Sequence, residues 1–296
     1  HLDDALNCIF NRKEAICSRA AALEFIIMYY AQNQEIEVDR DFSTLYLDSE
    51  GENLFVLQLL RFLSFPQIRE QLMSFESFIS PYLTLEASPL YVNAALQSLV
   101  GYNITNKKLA NCLTELESRR EYVHYVNIVL SQLNSRSLQL FDSQIIVEMC
   151  KHIKHDDISL AFICINHLLL AGIPFPPESI KYLLSVYDLF IDGTILHAVL
   201  SHIFLHFYDC KAAALKSGIL NLVKNEITTY GDNYSRFKKI MKTVSCLIYD
   251  FPQGQNALLN SWTIDPLIEF FDTSDTMMKF YLCYAYKNET TQKSFC

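Results

Sequence analysis

The apolar residues of this chain keep a long beat. One apolar residue, three others, then Leu, Ile or Met and an apolar stripe recur at Leu23, Leu59, Leu96, Leu130, Ile165, Leu200, Met241 and Leu282. The intervals between these anchors are 36, 37, 34, 35, 35, 41 and 41 residues. Periods of this size belong to stacked helical repeats, in which each unit buries its apolar face against its neighbours. The expected fold is therefore all-α, a right-handed α-α superhelix of about seven or eight irregular repeats. Only 7 Gly and 8 Pro occur in 296 residues, too few turn residues for a hairpin-built β fold.

The repeats have internal punctuation. In residues 251–287, Phe251-Pro252-Gln253 ends one helix and starts a short one through Leu258, since Pro favours the first helical turn. A second helix follows with Ile264, Leu267, Ile268 and Phe271 at helical spacing, and Ser274-Asp275 caps a longer third through Met278, Leu282 and Tyr286. Residues 65–102 repeat the plan from Phe65-Pro66-Gln67, with Ser88-Pro89 opening the third helix. Residues 207–249 give another copy, with a Ser217-Gly218 turn and Asp232-Asn233 before the long helix. Residues 143–171 place a His155-Asp156-Asp157 turn between two amphipathic helices. The unit from Pro174 to Pro177 onward reads as two-helix. Residues 34–50 are polar and acidic and read as a long loop, and the tail 288–296 reads as frayed. The expected organisation is one repeat domain over 1–287. A chain that starts with His1 is expected to be a domain excised from a longer protein.

This order of short helix, turn, apolar helix, Asp-rich turn and long helix resembles the armadillo repeat, with HEAT-like irregularity. Lys211–Val223 (KAAALKSGILNLV) and Gly254–Phe271 (GQNALLNSWTIDPLIEFF) carry the resemblance best. It implies a non-enzymatic scaffold or adaptor whose third helices line a groove for a partner segment. In that family an Asn two residues after the anchor often grips a bound peptide. Here that column reads Phe25, Arg61, Ser98, Gln132, His167, His202, Thr243 and Tyr284, with no Asn, so the family's peptide ladder does not carry over. Arg61, Ser98, Gln132, His167, His202, Thr243 and Tyr284 remain the expected groove-facing positions.

The last helix adds a second candidate surface. Thr276–Tyr286 is apolar or aromatic on every side, with Lys279 its sole charge. Packing through Met278, Leu282 and Tyr286 would leave Phe280, Tyr281 or Tyr284 outside the core, where a partner, a second copy or further chain would cover it. Homo-oligomerisation through this helix is thus an alternative reading. At the other end Phe25–Tyr30 (FIIMYY) shows the same apolar excess.

Other chemistries are weakly signalled. His197, His202, His206 and Cys210 read as one helix, with the last three on one face, a conceivable zinc set. The Glu of H-E-x-x-H and a fourth ligand are missing, so packed or groove-facing histidines are expected and no metal or cofactor. P-loop, G-x-G-x-x-G and G-x-S-x-G patterns are absent from the sequence. Arg236, Lys238, Lys239 and Lys242 form the densest basic stretch, read as the solvated face of one helix. With a net charge of −9 and no basic stripe, neither nucleic acid nor membrane is expected as a partner. A basic or neutral protein segment, helical or disordered, is expected instead. Nine cysteines without C-x-x-C spacing point to a reducing compartment, cytoplasm or nucleus.

Overall fold

The computed structural model describes residues 1–32, 42, 52–72, 74–154, 157–189, 194–230, 233–261, 279–283, 286 and 288. Among them the regular structure is helical throughout, with no strand. No helix among the described residues is long and apolar enough to cross a membrane. The chain divides into two compact units, His1–Phe141 and Asp142–Cys296.

The first unit contains α1 (Leu2–Phe10), α2 (Ile16–Gln32), α3 (Leu54–Phe62), α4 (Pro66–Arg69), α5 (Phe75–Ile79), α6 (Pro89–Leu99), α7 (Lys107–Glu117), α8 (Val123–Ser131) and α9 (Ser135–Leu138). The second contains α10 (Gln144–His152), α11 (Ile158–Leu170), α12 (Ile180–Leu184), α13 (Thr194–His206), α14 (Tyr208–Lys216), α15 (Ile219–Tyr230), α16 (Tyr234–Ile248) and α17 (Pro252–Ser261). Residues 279–283 are also helical.

Helix starts follow local chemistry. Pro66, Pro89 and Pro252 occupy the first turns of α4, α6 and α17, where a missing N–H costs nothing. Side chains of Asn53, Asn106, Asn134, Asp157 and Asn233 accept N–H bonds from the first turns of α3, α7, α9, α11 and α16. Gly218, at φ +80°, ends α14 in the left-handed region that a side chain would strain.

Seven of the eight anchors are buried: Leu23, Leu59, Leu96 and Leu130 in the first unit, and Ile165, Leu200 and Met241 in the second. Their helices pack in succession. In the first unit α2 packs on α3, α3 on α6 and α6 on α8; in the second α11 packs on α13 and α13 on α16. Hydrogen bonds also cross at about the same interval. Arg69 Nη1 donates to Ser98 O and Val100 O (2.8 and 2.7 Å), Ser137 Oγ to Ile104 O (2.8 Å) and Lys211 Nζ to Tyr249 O (2.6 Å). Each satisfies carbonyls that a helix end or connection leaves open.

Leu282 breaks the series. It is 64% exposed, whereas Phe280 is 2% exposed and packs edge-to-face against Tyr281. Two residues turn a helix by about 200°, so the buried face is nearly opposite the expected one. Burying a phenyl ring removes more apolar surface from water than burying Leu, which favours this rotation. The expected segments 263–275 and 34–50 lie outside the described residues except for Phe42. That ring is fully buried between Phe10 and Phe62, with centroids 5.7 and 5.4 Å away. Asn288, expected in a frayed tail, is buried and donates from Nδ2 to Asn256 Oδ1 (3.0 Å).

Candidate functional site

In the second unit, α16 uses two faces for different ends. One face carries Arg236 and Thr243 into a buried polar network; another carries Lys238, Lys242, Ser245 and Tyr249, spaced i, i+4, i+7, i+11.

The network centres on Glu226 of α15, 6% exposed, and His197 of α13, 2% exposed. Glu226 Oε1 accepts from Arg236 Nε (2.7 Å), and Oε2 accepts from the Tyr187 hydroxyl. His197 Nε2 lies 3.2 and 3.1 Å from the two carboxylate oxygens, and its Nδ1 is 3.0 Å from Thr243 Oγ1. Burial pushes the Glu226 carboxyl up, but the His197, Tyr187 and Arg236 hydrogen bonds and the His197 charge outweigh it and hold its pKa at about 2. A carboxylate only accepts, so Nε2 of His197 carries the ring proton that faces it. Burial, the Glu226 charge and the Glu226 hydrogen bond push the Tyr187 phenol up, keeping it a donor. The network fastens α13, α15 and α16 together and leaves its polar groups enclosed, which suits positioning better than chemistry.

The opposite face of α16 opens on a cleft of about 570 Å³ lined by Leu205, Lys238, Lys239, Lys242, Ser245, Cys246, Tyr249, Lys279 and Cys283. Cations gather at one end, from the first nine residues of α16 and from Lys279. Apolar and sulfur groups follow at the other, with Tyr249 stacked on Tyr286 at 5.2 Å. Lys238 Nζ lies 4.1 Å from the Tyr234 ring centroid, and Lys239 Nζ donates to Thr194 Oγ1. Among the described residues no carboxylate pairs with Lys238, Lys239 or Lys242. Burial raises the Cys246 and Cys283 thiols above their ordinary range, so both stand as neutral apolar groups in this wall.

The positions expected from sequence are dispersed. Arg61 ends α3 and Gln132 follows α8, both exposed; His167 on α11 and His202 on α13 are half-buried. Ser98 and Thr243 are fully buried, correcting their assignment to a groove. Both are small hydroxyl residues that return a hydrogen bond to their own helix, Ser98 Oγ to Ala95 O and Thr243 Oγ1 to Lys239 O, so burial leaves nothing unsatisfied. Phe280 is corrected likewise: it is a core ring. Tyr281 is half-buried, and Tyr284 lies outside the described residues. His202, His206 and Cys210 do not share one helix, because α13 ends at His206 and Cys210 belongs to α14. The Cys210 thiol is buried and donates to Phe175 O (3.6 Å), while His202 and His206 pair with each other at a centroid distance of 4.6 Å.

Sequence reasoning missed both the cleft and the network. Lys238 and Lys242 stand at i, i+4 in the sequence, the spacing that puts two side chains on one helix face. Glu226 falls on the α15 stripe with Ile219 and Val223, at i, i+4, i+7, where an acid must find partners. The basic stretch read as one solvated face divides: Arg236 turns inward and the three lysines line the cleft.

No protein-family model matches the chain, and no curated protein matches its sequence.

Proposed function

We propose that the chain is a non-enzymatic scaffold of the armadillo/HEAT-like kind, a right-handed helical-repeat solenoid that binds a segment of a partner protein. The observation that carries this reading is the cleft: an open, largely apolar recess with a cationic end, walled by helices from consecutive repeats. Such a recess is the form in which helical proteins receive a helix or an extended segment. The succession of buried anchors within each unit, and the packing of α2 on α3, α3 on α6, α6 on α8, α11 on α13 and α13 on α16, support the repeat architecture. Preformed helices supply the surface, and the partner bears the ordering cost. Arg61 and Gln132, each exposed in the first unit, are further candidate contact positions for the same role.

Site-directed photo-crosslinking tests this reading. A benzophenone amino acid placed at Leu205 or at Gln132 in the whole chain is expected to yield a discrete adduct with one protein segment, mapped by mass spectrometry. Absence of a protein adduct at both positions would overturn the scaffold reading.

A further inference from the structure

We infer that the cleft along α16 takes an acidic amphipathic segment, with clustered carboxylates at the Lys238, Lys239, Lys242 and Lys279 end and a Leu or aromatic side chain seated against Leu205, Cys246 and Tyr249. This rests on the scaffold reading and specifies its partner.

Charge chooses the class. Lys238 and Lys242 are one helical turn apart, and Lys279 joins them from a second element. Among the described residues no carboxylate neutralises the three α16 lysines, so their attraction is available to a ligand. One carboxylate cannot satisfy the three α16 ammonium groups; a segment with several Asp or Glu in one turn can. Length agrees. From Lys238 to Tyr249 the helix rises about 16 Å, so the apolar anchor would follow the carboxylates by two to three helical turns.

The rest of the molecule excludes broader anions. The chain carries a net charge of −9, so an extended anionic surface such as a bilayer or nucleic acid meets repulsion beyond the cleft. A narrow segment stays within about 8 Å of the lysines, the screening length at physiological salt. A small anion such as phosphate would leave the apolar end uncovered. The expectation from overall charge, a basic or neutral partner, therefore reverses at this site.

The test measures fluorescence anisotropy of a labelled amphipathic helical peptide. It bears three Glu in one turn and Phe and Leu two to three turns later; a control has Lys for each Glu. The acidic peptide is expected to bind the whole chain, more weakly at high salt, and the Lys peptide not to bind. Lys242→Glu with Lys279→Glu should weaken binding by at least about tenfold, and Leu205→Glu comparably. Lys242→Arg should retain it, with unchanged thermal unfolding in every variant. Equal binding of the Lys peptide, or indifference to both charge reversal and Leu205→Glu, overturns the proposal. So does binding to phosphatidylserine vesicles or inorganic phosphate without binding to the peptide. If the peptide fails while Leu205 still cross-links a protein segment, the acidic class is wrong and the scaffold reading stands. If neither position cross-links a protein, both fall.

Discussion

Glu226 offers a quantitative test of the second unit. Its carboxyl sits at about 2 in the folded chain against an ordinary value of 4.5. A depression of two to three units, at about 1.4 kcal/mol each, makes the ionised form worth about 3 kcal/mol to the folded state. The folded value is the lower one, so this stability is fully present above about pH 4.5 and fades as pH falls toward about pH 2. Glu226→Gln keeps the shape and removes the charge, imitating the protonated acid. It should cost about 3 kcal/mol near neutral pH, the scale expected for breaking a buried ion pair. Urea unfolding followed by circular dichroism, from about pH 7 down to about pH 2, should show the gap between wild type and variant closing to under about 1 kcal/mol at the acid end. Titration of every other carboxylate is common to both proteins and cancels. A gap that stays constant with pH, or is absent at neutrality, would refute the network as described.

Three further outcomes follow from packing. Leu200→Ala should lower stability by about 2–5 kcal/mol in the same denaturation assay, because the anchor is fully buried between packed helices. Gly254→Ala should cost about 1–3 kcal/mol by thermal unfolding, since a Cβ there would lie 2.6 Å from Phe251 Cδ1 in the core. Arg61→Ala with Gln132→Ala should leave stability within about 0.5 kcal/mol, both side chains being exposed.

The all-helical class was legible because burial is periodic. Seven anchors chosen by spacing are buried, and Pro66, Pro89, Pro252 and Asn233 sit at helix starts where capping chemistry puts them. The site was less legible, since a helix side chain's fate depends on which neighbour it meets. Position +2 from the anchor is exposed at Arg61 and Gln132 yet buried at Ser98 and Thr243. The difference is one of size and self-satisfied hydroxyls, which spacing does not encode. At Leu282 the period persists in sequence, but a phenyl ring two residues earlier takes the buried side. The Glu226 network joins residues 10 to 46 apart, and its distances have no local signature.

Network and cleft are coupled through the rotation of α16. Each residue turns a helix by about 100°, so a slip of one position would carry Lys238 and Lys242 away from Leu205 and Cys283. Apolar packing tolerates such slips better than hydrogen bonds do, because Phe237, Ile240, Met241 and Val244 form a broad stripe. Arg236 and Thr243, seven residues apart on one face, reach Glu226 and His197 in only one rotation. Buried polar contacts of this kind, besides their share in stability, select one arrangement among those that apolar packing would accept. The same helix therefore carries an enclosed charge pair that fixes its angle and open charges that the fixed angle aims into the cleft. Disrupting the pair with Arg236→Met should on this argument weaken binding of the acidic peptide even though Arg236 does not line the cleft. Unchanged affinity in a folded Arg236→Met chain would show that the stripe alone sets the rotation.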